Sequence, residues 1–331
     1  MELEERLEVS NTPEIGEKMI ISASRRTDLS SYYTEWLFNR LKEGYVYVRN
    51  PMNVHQIWNI SLDPSVVDGI VLWTKNPIQM MDRLKELERY PYYFQITLTS
   101  YGRDIEPNLP SKSQELIPAF CELSKRIGRE RVIWRYDPIL LSDRYTIAYH
   151  KKYFRILAAR IGCYTEKCTI SFLDLYKNIL RNVQQLGIRA PQREEQIELA
   201  MEFSRIAKEY GFYLDTCAEE IDLASFGIKH ARCIDKERFE RIGDYRLNVK
   251  KDTNQRANCG CISSIDIGTY NTCKNGCVYC YANYSAKTVE NQTQYHNPNS
   301  PLLFGEVGED DIIKERKMES IIENQFSLFE N

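Results

Sequence analysis

The sequence predicts an α/β fold whose parallel sheet closes fully or partly into a (β/α) TIM-like barrel. The first observation is that short apolar, β-rich runs alternate with amphipathic stretches through residues 20–217. Strands that alternate with helices pair in parallel, and the helices cover the sheet. The second observation is that charged and hydroxyl residues follow these runs repeatedly, as expected where parallel strands end at a common site.

The predicted elements follow in chain order. A first strand at 20–24 precedes a helix at 33–42, and the runs 46–49 and 56–62 predict a short hairpin. The later predicted strands are the apolar runs 69–73, 93–99, 132–136, 168–173, 212–217 and 264–268. The later predicted helices, which carry apolar residues at helical spacing, are 78–88, 114–127, 147–161 and 194–210, with a charged helix at 310–323.

Composition narrows the class of protein. Hydrophobic residues make up 43% of the 331 residues and charged residues 27%, as in ordinary water-soluble domains. The sequence has no apolar run of membrane-spanning length and begins with acidic, polar residues, so we expect a cytoplasmic protein without anchor or export signal. Ten cysteines in that setting favour reduced thiols and metal ligation. The net charge of -3 gives no bulk attraction to nucleic acid.

Three cysteines near the end of the chain decide the chemistry. Cys273, Cys277 and Cys280 have C-x3-C-x2-C spacing, with the aromatic Tyr279 before the third. Three thiolates can hold three irons of a [4Fe–4S] cluster and leave the fourth iron open. Structural zinc commonly takes two C-x2-C pairs, and this spacing does not divide that way.

This motif resembles that of the radical S-adenosylmethionine (radical SAM) superfamily. The resemblance implies that the open iron binds the amino and carboxylate groups of SAM, and that one-electron cleavage yields a 5′-deoxyadenosyl radical. It also implies a reductant such as flavodoxin or ferredoxin, and a place for Tyr279 among the cofactor-binding residues.

The strand ends carry a second resemblance. The order of 74–76 (TKN), 97–100 (TLTS) with a following Glu-Pro at 106–107, and 135–138 (RYDP) is similar to that in spore photoproduct lyase and its relatives. Those enzymes carry the cysteine motif early, so the resemblance implies a circularly permuted barrel whose cluster-bearing strand comes last. From 20–28 (IISASRRTD) to 300–303 (SPLL), the chain also resembles the bacterial DUF1848 family.

The lyase resemblance implies a role for each matching residue. Lys75 would bind the SAM carboxylate, and Thr97 and Thr99 would face the SAM ribose or the substrate. Arg135 and Asp137 would line the pocket floor or bind substrate as catalytic residues; the alternative is a structural ion pair.

The usual Gly-Gly-Glu run is absent, and Ser24 and Arg25 stand in its place as candidates for the SAM amino group. Helix capping is the alternative for the polar residues at the strand ends Thr27, Asp28 and Asp174.

A second set of cysteines precedes the motif. Cys217, Cys233, Cys259 and Cys261 supply four thiolates, enough for an auxiliary [4Fe–4S] cluster or a structural zinc ion. Cys217 ends a predicted strand, so the alternatives for it are a hydrogen-atom donor in the active site or a packed core thiol. The other cysteines are expected to be small core residues: Cys121, Cys163 and Cys168.

Three parts of the chain are predicted: an N-terminal extension at 1–18, the permuted barrel at 19–285 with a cysteine-rich insert at 217–261, and a tail at 286–331. The tail ends in QFSLF, Gln325–Phe329, which resembles the peptide that binds the bacterial DNA sliding clamp. The alternative is a segment that covers the bottom of the barrel.

The sequence therefore leaves three candidate functions open. The first is a radical SAM enzyme that repairs or modifies DNA, with the clamp as partner. The second is a radical SAM enzyme that acts on a small molecule or peptide. The third is a non-catalytic iron–sulfur redox protein.

Overall fold

The fold is mixed α/β, as the alternation of strands and helices predicts. A computed structural model describes residues 19–253, 255–256, 258–316 and 321–322. They form one eight-stranded parallel sheet flanked by helices and one small three-stranded sheet. The predicted extension at 1–18 and the peptide at 325–329 lie outside the described residues.

The strands of the large sheet lie close to their predicted positions. They are β1 (Ile20–Ala23), β4 (Gly69–Thr74), β5 (Tyr92–Thr97), β6 (Val132–Ile139), β7 (Lys167–Phe172), β8 (Tyr213–Thr216), β9 (Lys229–His230) and β10 (Ile265–Asp266). Their order across the sheet is β10-β1-β4-β5-β6-β7-β8-β9, and every neighbouring pair is parallel. The small sheet contains β2 (Tyr45–Asn50), β3 (Asn53–Ser61) and β11 (Ile312–Glu315).

Helices connect most of the strands. The α-helices are α1 (Leu29–Tyr32), α2 (Thr34–Glu43), α3 (Ile117–Ile127), α4 (Ile147–Ile161), α5 (Leu180–Gln185), α6 (Arg193–Tyr210), α7 (Lys236–Gly243) and α8 (Ala286–Thr293). The predicted helix at 78–88 is a 3₁₀ helix, Ile78–Leu87, and the start of the predicted helix at 114–127 is a π turn, Lys112–Leu116. No helix of the described residues is long and apolar enough to cross a membrane.

Both faces of the large sheet are buried, because successive side chains of a strand point to opposite faces. Ile21 of β1 packs in the core that the long helices complete, with Phe154 of α4 and Phe203 of α6. Ile20 packs in a second core with Phe239 of α7 and with cysteines of the loops on either side of α7. The cysteine-rich part of the chain is therefore a packed layer on one face of the sheet.

The described residues do not form a closed barrel, so full closure of the predicted (β/α) barrel is not found. The sheet has two edges, β10 and β9, and each is only two residues long. β10, the last strand of this sheet along the chain, pairs with β1, the first. The loop after β10, which carries the three-cysteine motif, is thereby brought beside the residues that follow β1.

The predicted charged helix at 310–323 is wrong in its described part. Residues Ile312–Glu315 instead form β11, which adds in parallel to the edge of β3. The β-branched pair Ile312 and Ile313 favours an extended strand. The preceding Asp311 fixes the strand at that edge through an ion pair with Arg49 of β2, in which Nη2 and Oδ2 are 2.8 Å apart. The residue pattern of 310–323 carries no information about the unpaired edge of β3, which lies far away in the sequence.

Candidate functional site

A cavity of about 430 Å³ lies where the strands of the large sheet end. This volume lies within the range of about 300–1,000 Å³ that small-molecule sites occupy. Its walls include residues at the ends of six strands: Ser24, Lys75, Thr97, Asp137, Leu173 and Cys217. Both cysteine sets also line it, namely Cys217, Cys233, Cys259, Cys261, Cys273, Cys277 and Cys280. The predicted convergence of strand ends and cysteines is therefore what the fold produces.

The loop that carries Cys273, Cys277 and Cys280 is held by hydrogen bonds to several elements. Tyr33 donates from its hydroxyl to the Thr272 carbonyl over 2.5 Å, and the Val278 amide donates to the Ile105 carbonyl over 3.0 Å. Asn283 donates to the Cys273 carbonyl over 2.8 Å. The three thiols are thus presented from a braced loop, and each is partly buried.

Gly276 allows this loop to turn. Its φ of +69° lies in the left-handed region, which favours glycine. A Cβ at this position would also lie 3.1 Å from Pro107 Cγ and 3.0 Å from Asn108 Nδ2. The turn between the first two cysteines therefore requires glycine for both its backbone angle and its close approach to the loop at 107–108.

Lys75, at the end of β4, belongs to a buried charge cluster. Its Nζ lies 2.8 Å from Glu106 Oε1 and 2.8 Å from the Tyr279 hydroxyl. Glu106 also pairs with Lys112, and it accepts a hydrogen bond from the Tyr279 hydroxyl. Sequence reasoning noted Glu106 only as part of a pattern and missed Lys112. Folding is what brings the opposite charges of Glu106 and Lys112 together.

The shared carboxylate controls the protonation of this cluster. Burial alone would raise the pKa of Glu106, but the ammonium groups of Lys75 and Lys112 outweigh burial and hold that pKa below its ordinary value. Burial likewise disfavours the Lys75 ammonium, yet Glu106 outweighs it and raises the Lys75 pKa. Burial lowers the pKa of Lys112, which Glu106 offsets only in part. Lys75 is therefore held as a cation.

The two predicted threonines occupy different places. Thr97 lines the cavity. Thr99 is buried, donates from its hydroxyl to Glu106 Oε2 over 2.9 Å, and is not among the residues that line the cavity. Thr99 therefore supports the charge cluster from behind, in contrast to the prediction that it faces cofactor or substrate.

Asp28 joins three segments of the site. As predicted, it caps a helix, because Oδ1 accepts from the Ser31 amide of α1 over 3.0 Å. Its other oxygen accepts from the Lys75 amide over 2.9 Å and from Asn275 Nδ2 over 3.0 Å. Asn275 lies between the first two motif cysteines, so one buried carboxylate couples this loop to the loop after β4. Burial raises the Asp28 pKa.

Ser24 and Arg25 are held by a carboxylate that sequence reasoning missed. Asp266 of β10 accepts hydrogen bonds from Ser24 Oγ over 2.6 Å, from the Arg25 amide over 2.7 Å and from the Gly268 amide over 3.0 Å. The only sequence signal was an acidic residue inside the apolar run 264–268. The register of β10 beside β1 is what brings Asp266 to this position.

Arg135 and Asp137 form the predicted ion pair, with Arg135 Nε 2.9 Å from Asp137 Oδ2. Both residues line the cavity, and Arg135 Nη1 donates to Cys233 Sγ over 3.1 Å. Ser171 of β7 donates to the other oxygen of Asp137. The pair is thus both a structural ion pair and a part of the cavity wall, and it connects the cavity to the second cysteine set.

The four cysteines of the second set lie together. The sulfurs of Cys217 and Cys233 are 3.4 Å apart, and the Ile234 amide donates to Cys261 Sγ over 3.3 Å. The hydrogen bond between Cys233 and Cys217 lowers the pKa of Cys233, and the hydrogen bond between Cys259 and Cys261 lowers that of Cys259 to about 6. The set therefore favours thiolate at two of its positions.

Three cysteines lie outside both sets. Cys168 is buried in β7 as predicted, Cys121 is partly buried, and Cys163 is exposed. The core prediction is wrong for Cys163 because it lies in the turn Gly162–Tyr164 after α4. Among the described residues, no group of three or more His, Cys, Asp or Glu side chains is arranged to hold a metal ion.

Comparison with known proteins identifies a family but does not identify an activity. A family model described as "Domain of unknown function (DUF1848)" matches residues 20–282, which is more than half of the chain. No curated protein matches the chain.

Proposed function

The chain belongs to the DUF1848 family, whose function is unknown, and we propose that it is a radical SAM enzyme. One observation carries the proposal: Cys273, Cys277 and Cys280 share a single cavity with Lys75 and with the other strand ends. Three thiolates in one loop suit a [4Fe–4S] cluster with one open iron. When bound, this cluster with SAM supplies a 5′-deoxyadenosyl radical.

Lys75 is proposed to bind the SAM carboxylate. An ammonium group has three N–H donors, and Lys75 directs two of them at Glu106 and the Tyr279 hydroxyl. The third is available to a ligand in the cavity that Lys75 lines. Glu106 keeps Lys75 charged and fixes its position, and this saves the entropy of ordering a long side chain on binding.

The other site residues are proposed to shape the pocket around SAM and substrate. Asp266 fixes Ser24 and Arg25 beside the motif loop, where the SAM amino group is expected. Arg135 and Asp137 present charge toward the cavity from β6 and are proposed to contact the substrate. Thr97 is the remaining hydroxyl on this wall that we assign to SAM ribose or substrate.

The fold is proposed to be a circularly permuted, incomplete radical SAM barrel. The strand order β10-β1-β4-β5-β6-β7-β8 supports this, since moving β10 to the start of the chain would make these neighbours consecutive. The cluster loop would then follow the first strand, as it does in the superfamily.

DNA is the substrate class that we propose, and the sequence QFSLF at Gln325–Phe329 supports it. A peptide that docks on a sliding clamp would deliver the enzyme to DNA. A small molecule or peptide in the same cavity is the alternative, and binding of the chain to a sliding clamp separates the two.

The test of the proposed function is reductive cleavage of SAM. We expect the full chain, reconstituted anaerobically with iron and sulfide and reduced in the presence of SAM, to release 5′-deoxyadenosine. The variant with Cys273, Cys277 and Cys280 changed to alanine should release none. A wild-type chain that holds a complete cluster at these cysteines and yields no 5′-deoxyadenosine would overturn the proposal and favour an iron–sulfur redox protein.

A further inference from the structure

Cys217 and Cys233 form a close pair of thiols in the wall of the cavity. Cys217 directly follows β8, and Cys233 lies shortly after β9. These two strands pair in parallel, with Thr216 opposite His230, so the fold places the two cysteines side by side. Their sulfurs are 3.4 Å apart, and both residues line the cavity. The pair is therefore held by neighbouring strands and can be reached by a small molecule in the cavity.

The two sulfurs are in contact but are not bonded to each other. Both cysteines are free, and the bond length of a disulfide is about 2.05 Å. Bonding therefore requires the sulfurs to approach by about 1.4 Å from their present separation. Cys217 is partly buried and Cys233 is buried. The two thiols are thus close enough to form a disulfide after a small shift of their side chains.

Arg135 makes the two thiols of the pair unequal. Its guanidinium is 5% exposed and donates from Nη1 to Cys233 Sγ over 3.1 Å. A core thiol that only packs behaves as a small apolar group, whereas a neighbouring guanidinium favours the thiolate. The thiolate is the nucleophile in the reactions of cysteine. Cys233 is therefore placed as the attacking sulfur, and Cys217, which is hydrogen-bonded to it, as the thiol that completes the reaction.

We propose that Cys217 and Cys233 are a redox-active dithiol, which hydrogen peroxide oxidises to a disulfide. The Cys233 thiolate attacks one peroxide oxygen and becomes a sulfenic acid; the O–O bond breaks, and the other oxygen leaves as hydroxide and takes up a proton to give water. Cys217 then attacks the Cys233 sulfur, and the S–S bond forms. The sulfenic hydroxyl leaves with the proton of Cys217 as a second water. The two sulfurs together lose two electrons, which the peroxide gains.

The surroundings of the pair can accommodate the disulfide. Oxidation removes the negative charge from Cys233, so Arg135 loses that partner. Arg135 Nε still lies 2.9 Å from Asp137 Oδ2, and Nη1 lies 3.3 Å from Gln95 Oε1. The buried cation therefore stays paired, while one wall of the cavity loses a negative charge. The inference concerns thiols outside the three-cysteine motif, so it does not depend on the proposed cleavage of SAM.

The test is the reaction of the reduced full chain with hydrogen peroxide, followed by alkylation and peptide mass spectrometry. The three motif cysteines are changed to alanine, so that their thiols do not compete. At limiting peroxide we expect a peptide pair joined between Cys217 and Cys233, while the exposed Cys163 stays free. In Cys217→Ser the reaction should stop at a Cys233 sulfenic acid, which dimedone traps. Cys168→Ala, which removes a buried thiol outside the cavity, should form the disulfide unchanged.

Several outcomes would overturn the inference. Oxidation of Cys163 before the pair would do so, as would a disulfide between other cysteines or none in excess peroxide. Zinc or iron that the purified chain retains, and that Cys233→Ala loses, would also do so, because a ligated thiolate is not part of a free dithiol. If alanine at the motif prevents folding, as judged by circular dichroism, the wild type decides instead, since the peptides report each cysteine separately.

Discussion

Changing Glu106 to glutamine should destabilise the chain more than changing Lys75 to methionine. The Glu106 side chain is 1% exposed and receives hydrogen bonds from Lys75, Lys112, Thr99 and Tyr279. Glu106→Gln keeps the shape but removes the negative charge. Two ammonium groups, on side chains 13% and 19% exposed, then lose their counter-charge.

The magnitude follows from what each variant leaves buried. Breaking a buried ion pair by removing one partner costs about 3–5 kcal/mol. The two pairs share one carboxylate, so their costs do not add, and we expect about 3–5 kcal/mol for Glu106→Gln. Lys75→Met leaves Glu106 with Lys112 and two hydroxyl donors, so its cost should be that of one hydrogen bond to a charged group, about 1.5–3 kcal/mol.

The assay is urea unfolding of the metal-free chain at pH 7 under reducing conditions, with equal slopes in denaturant required for a valid comparison. Glu86→Gln is the control, because it removes an exposed ion pair with Arg83 and should cost below about 1 kcal/mol. A Glu106→Gln variant that is as stable as Lys75→Met, or more stable, would refute the role of Glu106 as the shared counter-charge.

Four further predictions concern separate parts of the chain. Lys75→Met should weaken SAM binding about 10- to 100-fold in a titration of the reconstituted protein. Lys112→Met should change SAM binding little, because Lys112 pairs with the same carboxylate but does not line the cavity. Equal effects of the two substitutions would contradict the assignment of Lys75. Gly276→Ala should lower both the stability of the chain and its iron content. Gly305 also has a positive φ of +75°, but no atom lies within 4 Å of a Cβ there, so Gly305→Ala should cost only the backbone strain of about 1–2 kcal/mol. Equal unfolding costs for the two variants would argue against the close approach of Gly276 to Pro107. Burial lowers the pKa of His150 to about 4 from 6.5, so below pH 6.5 the unfolded chain binds a proton that the native chain does not. Relative to His150→Gln, the free energy of unfolding of the wild type in urea should fall by about 2 kcal/mol between pH 7 and pH 5. Parallel pH profiles of the two proteins would show that His150 is not held neutral. Gln325→Ala and Phe329→Ala should abolish binding to a bacterial sliding clamp measured by surface plasmon resonance, and binding equal to that of the wild type would remove the tail from the case for DNA.

The strands of the large sheet could be predicted because β-branched and apolar runs such as 69–73 and 132–136 carry their own signal. Lys75, Arg135 and Cys217 could then be placed at one edge, because parallel strands end on the same side. The spacing of Cys273, Cys277 and Cys280 is visible in the sequence alone, and the iron–sulfur role that it indicates stays a prediction.

The remaining features arise from pairings distant in sequence, which no local pattern encodes. Lys112 lies in a π turn, and nothing in its neighbourhood shows that it will face Glu106. Asp266 becomes important only through the register of β10 with β1. Strand β11 forms because β3 offers a free edge, and the sequence at 312–315 does not show that edge.

The most direct measurement of the central account is the magnetic interaction between the reduced cluster and labelled SAM. Electron–nuclear double resonance on the reconstituted chain with ¹⁵N-amino and ¹⁷O-carboxylate SAM reports whether one iron is open and chelated. We predict couplings from both labels in the wild type and in Cys168→Ala, which removes a buried thiol outside the cavity. A complete cluster at Cys273, Cys277 and Cys280 that shows coupling to neither label would contradict the account.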